Sequence, residues 1–352
     1  MTSLCRITAS GAAVALLLVA AACGDDSSAG SAATTVKATT VATAAATTAA
    51  ATTAAATTAA AATTTTAKAA GVDKTGWPKK LTIGAVPAEN ATDLKSNWDP
   101  IMKMLSKELG VEVEFVQATD YAGIVEAQIA NKVDIAMYGP FSYYIAKVNG
   151  AKIEPSVAQI SKAGGTPGYY SYGIAKGDSS IAKIDDFKGK KVCFVDPGST
   201  SGFLYPSAGL LAAGIDPKAG VTPVFAGGHD AAALSVKNGT CEAGFAFDDM
   251  VDKTLPGKGD LKPGDIKVVW KSELISASPM AVRTALPESL RTTLQRLLLE
   301  KGNKDALLKD GYCTGECKLD SNAYGWVKVN ESTYDGIRKV CEITKSDKCK
   351  SK

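Results

Sequence analysis

The chain has 352 residues, of which 45% are hydrophobic and 21% charged, and its net charge is +3. Once the ends are set aside, that length allows one large or two small domains. The near balance of charge gives no ground for a nucleic acid or an anionic surface as partner.

Residues 1–22 read as a signal peptide. One charge, Arg6, precedes the apolar run GAAVALLLVAAA, and small residues lead up to Cys23. The run is too short to span a bilayer. Cys23 after small residues resembles the lipobox of bacterial lipoproteins, in which that Cys becomes the lipidated first residue. Ala20 stands where Leu is usual, and an ordinary secretory signal cut near Ala22 is the alternative. Residues 23–76 read as lipid anchor and tether. Within 31–70 all but five residues are Ala or Thr. The Thr pairs lower helix propensity and there is no apolar face to bury. The stretch is expected to be disordered, with a marginal helix as the other reading.

The globular part alternates strand-like and helix-like segments. LTIGAVP (81–87) reads as a buried strand, 94–110 as a helix ending at Gly110, and VEVEFV (111–116) as a strand. A helix over 121–132, a strand over 133–139 and a short helix over 141–150 follow. A second series runs KVCFV (191–195) strand, 202–214 helix, 221–226 strand, 229–239 helix and 241–249 strand. Such alternation predicts an α/β fold built from βαβ units, here in two lobes. The extended stretches 164–175 and 266–282 read as two crossovers between them. Helices near 287–310 and 331–342 would return to the first lobe. The expected boundaries are 77–170 for the first lobe, 171–271 for the second and 272–352 for the return. Ligands of open α/β sheets lie beyond the carboxyl ends of the strands, so a cleft between the lobes is the expected site.

Six Cys remain beyond Cys5 and Cys23: Cys193, Cys241, Cys313, Cys317, Cys341 and Cys349. An even number outside the cytoplasm suggests disulfides, with fifteen possible pairings. Local spacing favours Cys313 with Cys317 and Cys341 with Cys349, which leaves Cys193 with Cys241. Zinc fits these spacings poorly, and no metal or cofactor is expected.

The candidate site residues all fall at strand ends. DPGSTSGF (196–203) lies between a strand and a helix, where unpaired N–H groups carry partial positive charge. Ser199, Thr200 and Ser201 add three hydroxyls, making an anion cradle from neutral groups. A capped solvent loop is the plainer alternative. No Gly-Lys-Ser/Thr follows, so it is not a nucleotide P-loop. Tyr121 and Tyr138 fall at first-lobe strand ends and could donate to an oxyanion, or simply sit half-buried in the core. His229, the sole His, starts a helix after a strand. Asp248 and Asp249 could hold a ligand cation such as an amine, or form a solvated turn.

The ordered set LTIGAVPAEN, W-DP (98–100), TDYAGIVEAQIANKVDIAMYGPFSYYIA, DPGSTSGFLYP and GGHDAAALSVKNG, with the Asp after GFAF, resembles a known family. The chain is similar to the substrate-binding proteins of phosphate/phosphite/phosphonate ABC importers, of the phosphonate-binding type. The resemblance runs over about residues 80–250, and VVWKSELISASPMAVR also fits. It implies a type II periplasmic-binding-protein fold, two α/β lobes joined by two crossover strands around a ligand cleft. It implies a phosphonate or phosphite group held by Ser199, Thr200, Ser201, Tyr121, Tyr138 and His229, with Asp248 and Asp249 matching the acids that hold an amine in some members. The partners implied are a small phosphorus oxyanion, an ABC permease and its ATPase, and a membrane reached through the lipid anchor on the extracytoplasmic face. The six Cys, the tether and the lipobox depart from Gram-negative members without touching the pocket.

Binding without turnover is therefore expected. The other readings are a different small anion on the same fold, a ligand-sensing module, and a secreted hydrolase using Ser199 and His229. The hydrolase reading lacks an elbow motif to activate the Ser.

Overall fold

The computed structural model describes residues 72–351. The expectations for the signal segment, for Cys23 and for the tether as far as residue 71 lie outside them.

Two mixed sheets organise the chain. The first has the strand order β11-β4-β10-β3-β1-β2. In it β1 (Lys80–Ala85) runs parallel to its neighbours β2 (Glu112–Gln117) and β3 (Ile135–Met137). Leu81, Ile83 and Ala85 of β1 are buried, as a strand covered on both faces requires. Antiparallel β10 (Pro279–Arg283) lies between β3 and β4 (Ile153–Ile160), and β11 (Gly325–Lys328) forms the edge beyond β4. The second sheet, β7-β6-β8-β5-β9, takes every strand from residues 171–271. In it β6 (Lys191–Phe194) is parallel to β7 (Thr222–Phe225) and β8 (Ala243–Phe247). β5 (Ser171–Lys176) is antiparallel to β8 and to β9 (Ile266–Lys271).

Helices cover the sheets through apolar stripes. α1 (Ala91–Leu109) buries Leu94, Trp98, Ile101, Leu105 and Leu109 at helical spacing. Asn90 caps it by accepting from Asp93 N, and it stops at left-handed Gly110. α2 (Tyr121–Ile129) and α3 (Pro140–Val148) also belong with the first sheet. The second sheet carries α4 (Tyr205–Ala212), α5 (His229–Lys237) and α6 (Leu255–Lys258). The tail adds α7 (Glu288–Lys301), α8 (Lys304–Lys309) and α9 (Asp335–Thr344). Among the described residues no helix is long and apolar enough to cross a membrane.

Two strands differ from the sequence reading, which did not foresee β4 or β11. Pro155 interrupts the β4 pattern, and its pairing with β10 shifts register beside it; a Pro in a would-be strand removes a ladder donor and hides the signal. β11 has only four residues and is held by its partner β4. The helical stretch expected near 287–310 holds two helices, separated at Gly302 and Asn303.

The chain passes between sheets twice, through 161–170 and 272–278. Tyr169 and Ile275 tie these passages together by reciprocal backbone bonds of 3.1 and 2.9 Å. Disulfides join Cys193 to Cys241, Cys313 to Cys317 and Cys341 to Cys349.

Candidate functional site

The loop after β6 is shaped by its own side chains. Asp196 accepts from Gly198 N at 2.6 Å, and Ser199 Oγ accepts from Gly202 N at 3.0 Å. The helix then opens with one wide turn over Thr200–Leu204, in which Leu204 N reaches back to Ser199 O at 3.0 Å. Such turns are uncommon and recur at functional sites. Gly202 permits it, since a Cβ there would lie 2.3 Å from Val195 Cγ2. Thr200 and Ser201 stand first in this turn, so their N–H groups have no partner within it.

The other half of the chain docks on this turn. Phe141 N, at the start of α3, donates to Thr200 Oγ1 at 2.9 Å. The approach is close enough that a Cβ on Gly139 would be 2.7 Å from the same oxygen. Thr200 therefore caps a helix of the facing lobe, and its own hydrogen is left to point elsewhere. The Tyr121 hydroxyl is in bonding reach of Ser199. Nearby, His229 N donates to Ala88 O at 2.8 Å, a second tie between the halves.

His229 has a fixed role. Its Nδ1 accepts from Phe247 N at 3.1 Å, so the ring hydrogen sits on Nε2, which lies 3.4 Å from Ser199 Oγ. Burial drives its pKa down to about 3. The ring is neutral at any ordinary pH and acts as a hydrogen-bond donor, not as a base.

All eight residues singled out in the sequence line one cavity of about 110 Å³: Tyr121, Tyr138, Ser199, Thr200, Ser201, His229, Asp248 and Asp249. Their hydroxyls do not all face it alike. Tyr138 is fully buried and its hydroxyl donates to Ile124 O at 3.4 Å. Asp249 is paired with Lys253 at 2.8 Å. Asp248 Oδ1 is buried with no hydrogen-bond partner, and burial holds that carboxyl above its ordinary pKa.

Sequence reasoning missed Tyr169 and Asp320, which line the same cavity. Tyr169 lies in the first crossover, and its hydroxyl is in bonding reach of Thr200, Ser201 and Ser278. Burial pushes its pKa up to about 12, so it too stays a donor. Its signal was the aromatic pair in GGTPGYY. Asp320 comes from the tail, where no motif marks it. Among the described lining residues there is no Lys or Arg. An anion here would meet hydroxyls, N–H groups and a neutral imidazole, beside the carboxyls of Asp248, Asp249 and Asp320.

The sequence model of the family described as "ABC transporter, phosphonate, periplasmic substrate-binding protein" matches residues 83–322. The chain belongs to this family. A phosphate-import protein PhnD from Mycolicibacterium smegmatis is 52% identical over 285 residues, covering 78% of this chain and 89% of the relative. A phosphonates-binding periplasmic protein of Escherichia coli is 34% identical over 261 residues, covering 72% and 73%. Among solved structures, a binding protein component of an ABC phosphonate transporter from Pseudomonas aeruginosa superposes with TM-score 0.65 at 27% identity, covering 76% of this chain and 86% of that one. The fold is the type II periplasmic-binding-protein fold. Members of the family are the substrate-binding components of transporters, not enzymes. The site agrees in its chemistry: a neutral His229 with its hydrogen on Nε2 cannot take a proton from Ser199.

Proposed function

We propose that the protein is an extracytoplasmic solute-binding lipoprotein that captures a phosphonate, phosphite, phosphate or related phosphorus oxyanion and delivers it to an ABC permease driven by an ATPase. Residues 77–170 with 272–352 form one lobe and 171–271 the other. They close on the ligand about the two crossovers, a hinge motion. Cys23 carries the lipid that holds the protein to the outer face of the cell membrane. Ser199, Thr200, Ser201, Tyr121, Tyr138 and His229 surround the oxyanion. Asp248, with its unpartnered oxygen, faces an amine or hydroxyl of the ligand; Asp249 helps to set the charge behind it.

The observation that carries this reading is the cavity itself. It gathers buried hydroxyl, imidazole and turn N–H donors with no cation among its described lining residues. A ligand that leaves one such donor unpaired loses roughly 1–3 kcal/mol, which selects for a compact group with several oxygens. The relatives named for phosphate import and for phosphonates binding support the same ligand class.

Calorimetric titration of the purified protein with phosphate, phosphite, methylphosphonate, 2-aminoethylphosphonate and sulfate tests it. One phosphorus oxyanion should bind tightly and weaken at least tenfold in Ser199→Ala. Silence with every phosphorus ligand would refute the reading.

A further inference from the structure

The cavity contains a group that an anion cradle does not call for. Asp320 is only 6% exposed, yet it lines the same space as Ser199, Thr200 and Ser201. It is held there on purpose-built backbone. Ser321 and Asn322, which follow it, have φ of 52° and 57°, left-handed values that non-glycine residues seldom adopt. Gln159 Nε2 donates to Asp320 Oδ2 at 3.0 Å and to its carbonyl at 3.1 Å, and Ser321 also donates to the carboxyl. A carboxylate has about four lone-pair sites, so accepting capacity remains for the cavity.

Among the described residues that line the cavity with Asp320, none is a Lys or Arg. From the loop after β1, Glu89 adds like charge. Lys258 of α6 is shared between that Glu89 and Asp93 of α1. In the turn over Met250–Thr254, Lys253 is taken by Asp249 and Asp252 accepts from Tyr172. Tyr121 of α2 and His229 of α5 are neutral donors. Asp248 lies on the opposite lobe and is itself a carboxyl. Burial, with Glu89 second, raises the Asp320 carboxyl to a pKa of about 7.

We propose that Asp320 reads the hydrogen on the ligand: an oxyanion is accepted with one proton lying between one of its oxygens and the Asp320 carboxyl. This deepens the oxyanion reading above and rests on it. Two deprotonated oxygens facing each other in a buried site repel, whereas one shared proton makes a charge-assisted bond. Hydrogen phosphate keeps one P–OH at pH 8 and donates it to ionised Asp320. Methylphosphonate loses its last P–OH hydrogen by pH 9, and sulfate has none. Each of these enters only if Asp320 takes up a proton.

The linkage follows from that count. Above both the carboxyl's pKa of about 7 and the ligand's own second ionisation, binding of methylphosphonate or sulfate takes up one proton, so affinity there falls about tenfold per pH unit. Binding of hydrogen phosphate takes up none, so its affinity stays level. His229, neutral throughout, contributes no slope.

Calorimetric titration of the purified protein at pH 7, 8, 9 and 10 with inorganic phosphate, methylphosphonate and sulfate decides the matter. The expected result is a phosphate profile that is level from pH 8 upward and a methylphosphonate profile that drops about tenfold between pH 9 and 10. Asp320→Asn, an isosteric change whose amide donates without titrating, should flatten the methylphosphonate profile and narrow the preference for phosphate at pH 9 at least tenfold. Parallel phosphate and methylphosphonate profiles in the wild type overturn this inference alone, whatever the variant does. So does a slope that responds to Asp248→Asn and not to Asp320→Asn. Failure of all three ligands to bind the wild type at pH 7 overturns the oxyanion reading and this inference together.

Discussion

Replacing Gly139 by Ala tests whether the docking of one lobe on the other is part of the binding event. The residue has φ of −75°, where Ala is at ease, so the backbone supplies no strain. The added Cβ would lie 2.7 Å from Thr200 Oγ1, well inside van der Waals contact. Thr200 cannot swing aside freely, because a β-branched side chain is stiff at χ1, and turning it breaks the 2.9 Å bond from Phe141 N. Either the turn backs away from α3 or that buried N–H loses its acceptor. An orphaned buried donor costs about 1–3 kcal/mol. In an open form water would satisfy both groups, so the penalty falls on the closed, ligand-holding form. At 1.4 kcal/mol per tenfold, that is roughly a 5- to 150-fold rise in Kd. Titration with the best phosphorus oxyanion reads the affinity, and thermal melting without ligand reads the fold. An affinity within twofold of wild type at an unchanged melting temperature would refute the docking argument.

Lys258→Met should weaken ligand binding by a different route. Lys258 Nζ reaches from α6 to Asp93 at 2.6 Å and Glu89 at 3.3 Å on the facing lobe. Glu89 is buried, and Lys258 is the cation beside it. Its loss should raise Kd about 5- to 30-fold, from about 1–2 kcal/mol against the closed form; unchanged affinity would show that the clasp does not accompany binding. The disulfides should differ in worth. Cys193–Cys241 closes a separation of 48 residues and Cys313–Cys317 one of 4. Chain entropy assigns them about 4 and about 2 kcal/mol respectively. Urea unfolding of the paired Cys→Ala variants should rank them in that order, and equal losses would contradict the entropic account.

Much of this site was legible because α/β chains place function at predictable points. A strand followed by small polar residues and then a helix sets Ser199, Thr200 and Ser201 at a carboxyl end. The same logic set Tyr121, Tyr138, His229, Asp248 and Asp249 there, and all line one cavity. Periodicity gives the end of a strand but not the direction of a hydroxyl. It could not tell that Tyr138 would bond to Ile124 O. Nor did it anticipate that Asp249 would pair with Lys253, an i, i+4 contact. Tyr169, marked only by an aromatic pair, and Asp320, marked by nothing, were missed. They sit in a crossover and in a tail turn, segments with no repeating pattern, and long-range pairing alone brings them in. β11 shows the same dependence: four residues carry no signal until Ile160 and its neighbours on β4 receive them.

The central claim is that a phosphorus oxyanion occupies the space between the Ser199–Ser201 turn and the facing lobe. Phosphorus NMR of methylphosphonate with an equimolar amount of the purified protein at pH 7 tests it most directly. A separate bound resonance, chased by inorganic phosphate and absent in Ser199→Ala, is the result expected here. A spectrum showing free methylphosphonate alone, with inorganic phosphate likewise free, would contradict it.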